Sequence, residues 1–141
     1  MTERIFKPGF TVERIQATAP NTLAEILGIQ VIAVEDRSVT ATMPVDARTH
    51  QPMGILHGGA SVALAETVGS ISANGTLEEG QYAVGLDINA NHLRPVRSGL
   101  VTAKSSPIHL GKTTQVWEIR ITGPDDRLVC ISRLTVAILN R

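Results

Sequence analysis

Apolar and polar positions alternate in long stretches over the C-terminal half of the chain and only briefly before it. In KTTQVWEIRIT, Gln115, Trp117, Ile119 and Ile121 fall on one face, while Thr114, Val116, Glu118 and Arg120 fall on the other. That period of two marks a strand. QYAVGLDINANHLR, GLVTAKSSPIHL and RLVCISRLTVAIL read the same way, so four strands follow one another, with turns expected at Leu110-Gly111 and at GPDDR, Gly123 to Arg127. Earlier, GIQVIAVE and RSVTATMPV are strand-like runs split near Asp36, which predicts a hairpin.

Helical spacing appears in three places. TVERIQAT and NTLAEIL predict short helices at Thr11–Thr18 and Asn21–Leu27, the second with Asn21 as N-cap and Gly28 as its stop. From Gly58 to about Thr76, Ala60, Ala63, Leu64, Thr67, Val68 and Ile71 recur at helical intervals, and Asn74-Gly75 supplies an ending. One long helix against one antiparallel sheet is an α+β layer arrangement. With 141 residues, no internal repeat and no low-complexity linker, a single domain over 1–141 is expected.

Composition narrows the function classes. Lys plus Arg equals Asp plus Glu at 13 each, so no global basic field exists to hold nucleic acid or an anionic membrane. The opening MTERIFKPGF lacks a signal-peptide core, and no apolar run reaches membrane-spanning length, which predicts a cytoplasmic protein. The one cysteine, Cys130, stands between Val129 and Ile131 and reads as a buried structural thiol. Scattered histidines and a lone cysteine do not have metal-ligand spacing, so neither metal nor cofactor is expected.

The candidate chemistry lies in HQPMGILHGGASVALAETVGS. Glu66 shares its helix face with Val62, Ala63, Gly69 and Ser70, none of them a cation. Buried there, its carboxyl would carry a raised pKa unless hydrogen bonds or a partner chain compensated, and it would suit a nucleophile or general base. His57-Gly58-Gly59 stands where the helix begins, and free N–H groups there suit a carbonyl oxygen gaining charge. HGG also occurs in the oxyanion loop of α/β-hydrolases, but the chain has no Gly-x-Ser-x-Gly elbow, so Ser61 is no catalytic serine. Gly58 and Glu66 are separated by eight positions, ~12 Å of helix. One helix cannot place both at a single carbonyl group, whereas two antiparallel copies can.

Four stretches, TMPVDARTHQPMGILHGGASVALAETVGS, VGLDINANHLRPVRSG, PIHLGKTTQVWEIRI and SRLTVAIL, resemble the hotdog-fold acyl-CoA thioesterases. The likeness is greatest to the branch that acts on 1,4-dihydroxy-2-naphthoyl-CoA, on 4-hydroxybenzoyl-CoA and in enterobactin proofreading. The resemblance implies a sheet wrapped around one central helix, in a homodimer or homotetramer. It implies that Glu66 attacks the thioester or activates water, that Gly58 N–H and Gln51 polarise the carbonyl, that His57 supports the loop and the leaving thiolate, and that Ser70 orients water or the carboxylate. Glu66 and the Gln51/Gly58 pair then come from different subunits. A related phenylacetyl-CoA branch carries Asp at the position of Glu66. The resemblance places coenzyme A, itself part of the substrate, around Gly85, around His92, Leu93, Arg94 and Pro95, and around the turn His109, Leu110, Gly111, Lys112, Thr113 and Thr114. Arg94 and Lys112 are the leading phosphate partners, ahead of Arg97 and Lys104. Met53, Leu86 and Ile71 are candidates for an apolar acyl slot. Aliphatic acyl-CoA, thioesters on an acyl or aryl carrier protein, and a non-catalytic acyl-CoA-binding module remain alternatives.

Overall fold

The computed structural model describes residues 3–141; Met1 and Thr2, the start of the stretch read for a signal peptide, lie outside it. The elements run α1 (Val12–Gln16), α2 (Leu23–Leu27), β1 (Gln30–Val34), β2 (Val39–Pro44), α3 (Gly58–Gly75), β3 (Gln81–His92), β4 (Leu100–Leu110), β5 (Thr114–Thr122) and β6 (Leu128–Asn140). All six strands join one antiparallel sheet in the order β1-β2-β4-β5-β6-β3. The hairpin about Asp36 and both expected turns are present. No described helix is long and apolar enough to cross a membrane.

The sheet's concave face holds α3. Trp117, Ile119 and Ile121 of β5 are buried together with Leu134 and Val136 of β6, facing Leu64, Ala65 and Val68 of the helix. Gly69 allows that approach, since a Cβ there would sit 2.7 Å from Leu134 Cδ2 and 3.2 Å from Ile119 Cδ1. Gln115, on the same inward face as Trp117, is buried but satisfied: Trp117 Nε1 donates to its Oε1 at 2.9 Å, and its Nε2 donates to Thr76 Oγ1 at 2.8 Å. A buried amide with both ends paired escapes the desolvation penalty of an orphan. Cys130 is fully buried, and burial pushes its thiol pKa up.

Two expectations need correction. Asn21 is not the N-cap of α2; Thr22 holds that position, while Asn21 takes a left-handed φ of 65° and its N–H donates to the Glu25 carboxylate. Gly28 does end that helix, at φ 72°, where a Cβ would be strained. The core-facing stripe of α3 is also rotated from the expected one. It comprises Ser61, Leu64, Ala65, Val68, Gly69 and Ser72, whereas Ala60, Ala63, Thr67 and Ile71 are only half-buried. Small residues surround this helix on every side, so hydrophobic contrast is too weak to fix its rotation. On the buried stripe Ser72 is paired: its Oγ donates to Val68 O at 2.7 Å and also meets Ser105 Oγ.

Candidate active site

The residues before α3 form a tight loop. Asp46 accepts from the Arg48 side chain, which holds its carboxyl down to about 2, and Thr49 Oγ1 donates to Pro44 O at 2.8 Å. Gln51 N–H donates to Ile55 O at 2.8 Å, and the Gln51 Oε1 accepts from Met53 N–H, leaving the amide nitrogen to donate elsewhere. Leu56 N–H donates to Val96 O at 2.8 Å, tying the loop to the segment after β3.

His57 caps the helix. Its Nδ1 accepts from Gly59 N–H at 2.7 Å, which leaves the ring proton on Nε2. With Gly59 N–H occupied, and Ala60 and Ser61 N–H both directed to His57 O, the Gly58 N–H is the free donor at the helix mouth. His92 stacks against Gly58: a Cβ on Gly58 would lie 3.0 Å from His92 Nε2. Gly58, His92, Leu93, Arg94 and Pro95 line one cavity of about 360 Å3. Within that group Leu93 N–H donates to Val129 O at 2.7 Å, and Arg94 Nη1 donates to Leu128 O at 2.8 Å.

Glu66 lies over Gly85, seven positions back along β3 from His92. Its side chain is half-buried and has no cationic partner among the described residues. Oε2 stands almost where a Cβ on Gly85 would be, so the carboxylate occupies a notch that glycine alone leaves open. The ladder shifts register between Gly85 and Asp87, a bulge at the same place. Gly85 is therefore the floor beneath Glu66, a packing role that its expected place beside coenzyme A did not include. Ser70, one turn further along, shares that half-exposed face.

The expected coenzyme A residues divide in two. His92 pairs with Cys130 and Thr114 with Ala137, seven positions apart along β6. At strand rise that is ~23 Å. One chain thus keeps His92–Pro95 beside Gly58 and puts the turn His109–Thr114 at the end where Gly85 holds Glu66. In that turn Gly111 N–H donates to Thr114 O at 2.9 Å and His109 packs on Gly111, while Lys112 is exposed. Arg97 borders a separate cavity with Arg94, and Lys104 is drawn to Glu35 at 3.6 Å on the far side of the sheet. Of the three acyl-slot candidates, Ile71 lines a cavity next to Ser70; Met53 and Leu86 do not, and are 72% and 61% exposed. Among the described residues no three His, Cys, Asp or Glu side chains converge as a metal site requires.

A long helix cradled in a single antiparallel sheet is the hotdog fold. The chain belongs to the thioesterase superfamily, whose family model matches residues 53–130, and it is a thioester hydrolase acting on CoA thioesters. It is 47% identical over 135 residues to the 1,4-dihydroxy-2-naphthoyl-CoA hydrolase of Escherichia coli, an alignment covering 96% of this chain and 99% of the other. The proofreading thioesterase EntH of Cronobacter turicensis is 48% identical over 135 residues, covering 96% and 98%. The crystal structure of a thioesterase from Haemophilus influenzae superimposes with a TM-score of 0.94 at 53% identity, covering 96% of this chain and 95% of that one.

Proposed function

We propose that the protein hydrolyses aryl- or hydroxyaryl-CoA thioesters at two equivalent sites, each built from two copies of the chain. The observation that carries the reading is Glu66, the one charged residue of α3, seated in the Gly85 notch with no cation among the described residues to neutralise it. The thioester carbonyl accepts from Gly58 N–H and from the Gln51 amide. Glu66 either attacks the carbonyl carbon, expelling the coenzyme A thiolate and leaving an anhydride for water to cleave, or removes a proton from water that attacks directly. His57 Nε2–H faces the leaving sulfur, and Ser70 orients the water or the carboxylate.

Sheet geometry supports the division between copies. β3 is a twelve-residue edge strand bonded only to β6, with Val84 and Leu86 exposed. Such an edge is a template for a further strand. Gly85 and His92 stand at equal distances from the midpoint between Ile88 and Asn89. Two β3 strands paired antiparallel about that midpoint set Gly85 of one opposite His92 of the other. Glu66, which rests on Gly85, then faces the second copy's Gly58, which rests on His92. The same pairing moves the turn His109–Thr114 toward the second copy's His92–Pro95, so that both coenzyme A segments serve one substrate.

The aryl preference rests on the 47% and 48% identity over 135 residues to the Escherichia coli and Cronobacter relatives, whose names specify a naphthoyl thioester and a proofreading role. A panel of benzoyl, hydroxybenzoyl, dihydroxynaphthoyl and medium-chain CoA, with one carrier-linked aryl group, assayed by thiol release, tests it. Fastest turnover is expected on an aryl thioester. Preference for the medium-chain substrate would replace the aryl reading with the aliphatic one.

A further inference from the structure

A cavity of about 570 Å3 lies between the N-terminal segment and the second half of α3. It adjoins the proposed site, because Ser70 and Ile71 line it and Ser70 stands one turn beyond Glu66 on the same helix face. An acyl group whose carbonyl carbon meets Glu66 therefore extends along that face into this space. Phe10, Ile15 and Ile71 give it apolar walls suited to a ring.

Its charge is one-sided. Lys7 and Arg14 both line the cavity and no Asp or Glu does. Lys7 is already engaged by Glu78. Arg14 has no carboxylate partner among the described residues, and its guanidinium lies over Gly9, with Nη1 2.6 Å from where a Cβ would be. That leaves an unneutralised fork of N–H donors at the edge of an apolar slot, the geometry that receives a carboxylate or phenolate oxygen.

We propose that Arg14 is a specificity-determining residue: it selects acyl groups carrying an anionic oxygen at the end remote from the thioester. The proposal rests on the hydrolase site described above but reads a different part of the substrate. An exposed arginine is ordinarily a solvated surface charge with no such effect, and substrate ratios separate the two cases.

The test compares benzoyl-CoA, 4-hydroxybenzoyl-CoA and 4-carboxybenzoyl-CoA with the intact protein, Arg14→Gln and Arg14→Lys. For the intact protein, kcat/KM for the 4-carboxybenzoyl thioester should exceed that for benzoyl by about three- to fivefold, the scale of an exposed ion pair. Arg14→Gln should collapse that ratio, and Arg14→Lys should keep most of it. The 4-hydroxybenzoyl arm distinguishes a phenolic oxygen from a carboxylate, and a preference for either over benzoyl that Arg14→Gln removes supports the proposal. An Arg14→Gln ratio equal to that of the intact protein, or no preference in the intact protein, overturns it. Affinities of the same three thioesters for Glu66→Gln and for Glu66→Gln/Arg14→Gln repeat the comparison without turnover. A Glu66→Gln protein with full activity breaks the proposed mechanism, while the kcat/KM ratios of the intact, Arg14→Gln and Arg14→Lys proteins still decide the role of Arg14.

Discussion

The N-terminus and the middle of α3 lie in one element and differ in chemistry. At the N-terminal end, every feature offers a proton: the free Gly58 N–H, the Gln51 amide and the Nε2 of His57. In the middle there is an acceptor alone, the Glu66 carboxylate over Gly85. Under the proposed mechanism the donors would stabilise charge developing on a carbonyl oxygen, and the carboxylate would supply or generate the attacking group. The helix that carries both also keeps them ~12 Å apart. Under the proposed mechanism neither part of the helix would be a complete site, because its rigidity keeps the two groups apart within one chain.

Glu66→Gln should have the largest effect on that contrast, because it turns the acceptor end neutral with almost no change in shape. Turnover should fall by ~10²–10⁴-fold on the best thioester, and full retention would show that the carboxylate takes no part. Gly85→Ala comes next. It keeps Glu66 but fills the notch, displacing the carboxylate, and a shift near 1 Å costs ~10²-fold in kcat. KM should change little, and an unaltered kcat would mean that Glu66 works elsewhere.

Mixing asks whether the two ends belong to different chains. Inactive Glu66→Gln and inactive Gln51→Ala proteins, allowed to exchange subunits, form heterodimers with one intact site. Random exchange should restore about one quarter of normal activity in a closed two-fold dimer. No recovery after exchange proven by mass spectrometry would place both ends in one subunit. Smallest is an acid effect confined to the donor-end loop. The Asp46 carboxyl is held from 3.8 down to about 2, chiefly by the Arg48 side-chain hydrogen bond. Its stabilising contribution is present above 3.8 and is lost as pH falls through about 2. An NMR titration should find the Asp46 midpoint near the lower value, and Arg48→Met should return it toward the upper one.

Regular elements were the most legible part of the sequence. Period two in β5 located Trp117, Ile119 and Ile121 inside, and Gln115 followed the same parity against its polarity. Rotation of α3 was not legible, since Ala, Ser and Gly on all sides give no polar face to orient by. Glu66, Gly58 and His57 stood out because charge and glycine break a local pattern. Gly85 gave no such signal of its role, because what it does is lack a Cβ beneath a side chain nineteen positions earlier. Arg14 reads as an ordinary surface cation until the cavity beside it is seen. Segments His92–Pro95 and His109–Thr114 looked like one binding surface; only strand register shows that a single chain keeps them apart.

The eight-residue interval in α3 works as a gauge. Inserting one residue between Gly58 and Glu66 would swing the carboxylate ~100° around the axis and advance it 1.5 Å. It would leave the Gly85 notch and point into the sheet or into solvent. Four inserted residues would nearly restore the angle but add ~6 Å of travel. The turn Gly123–Arg127 has no such calibration, and extra residues there leave both ends of the helix where they are. Length variation in this chain should therefore concentrate in its turns and avoid the segment from Gly58 to Glu66 altogether.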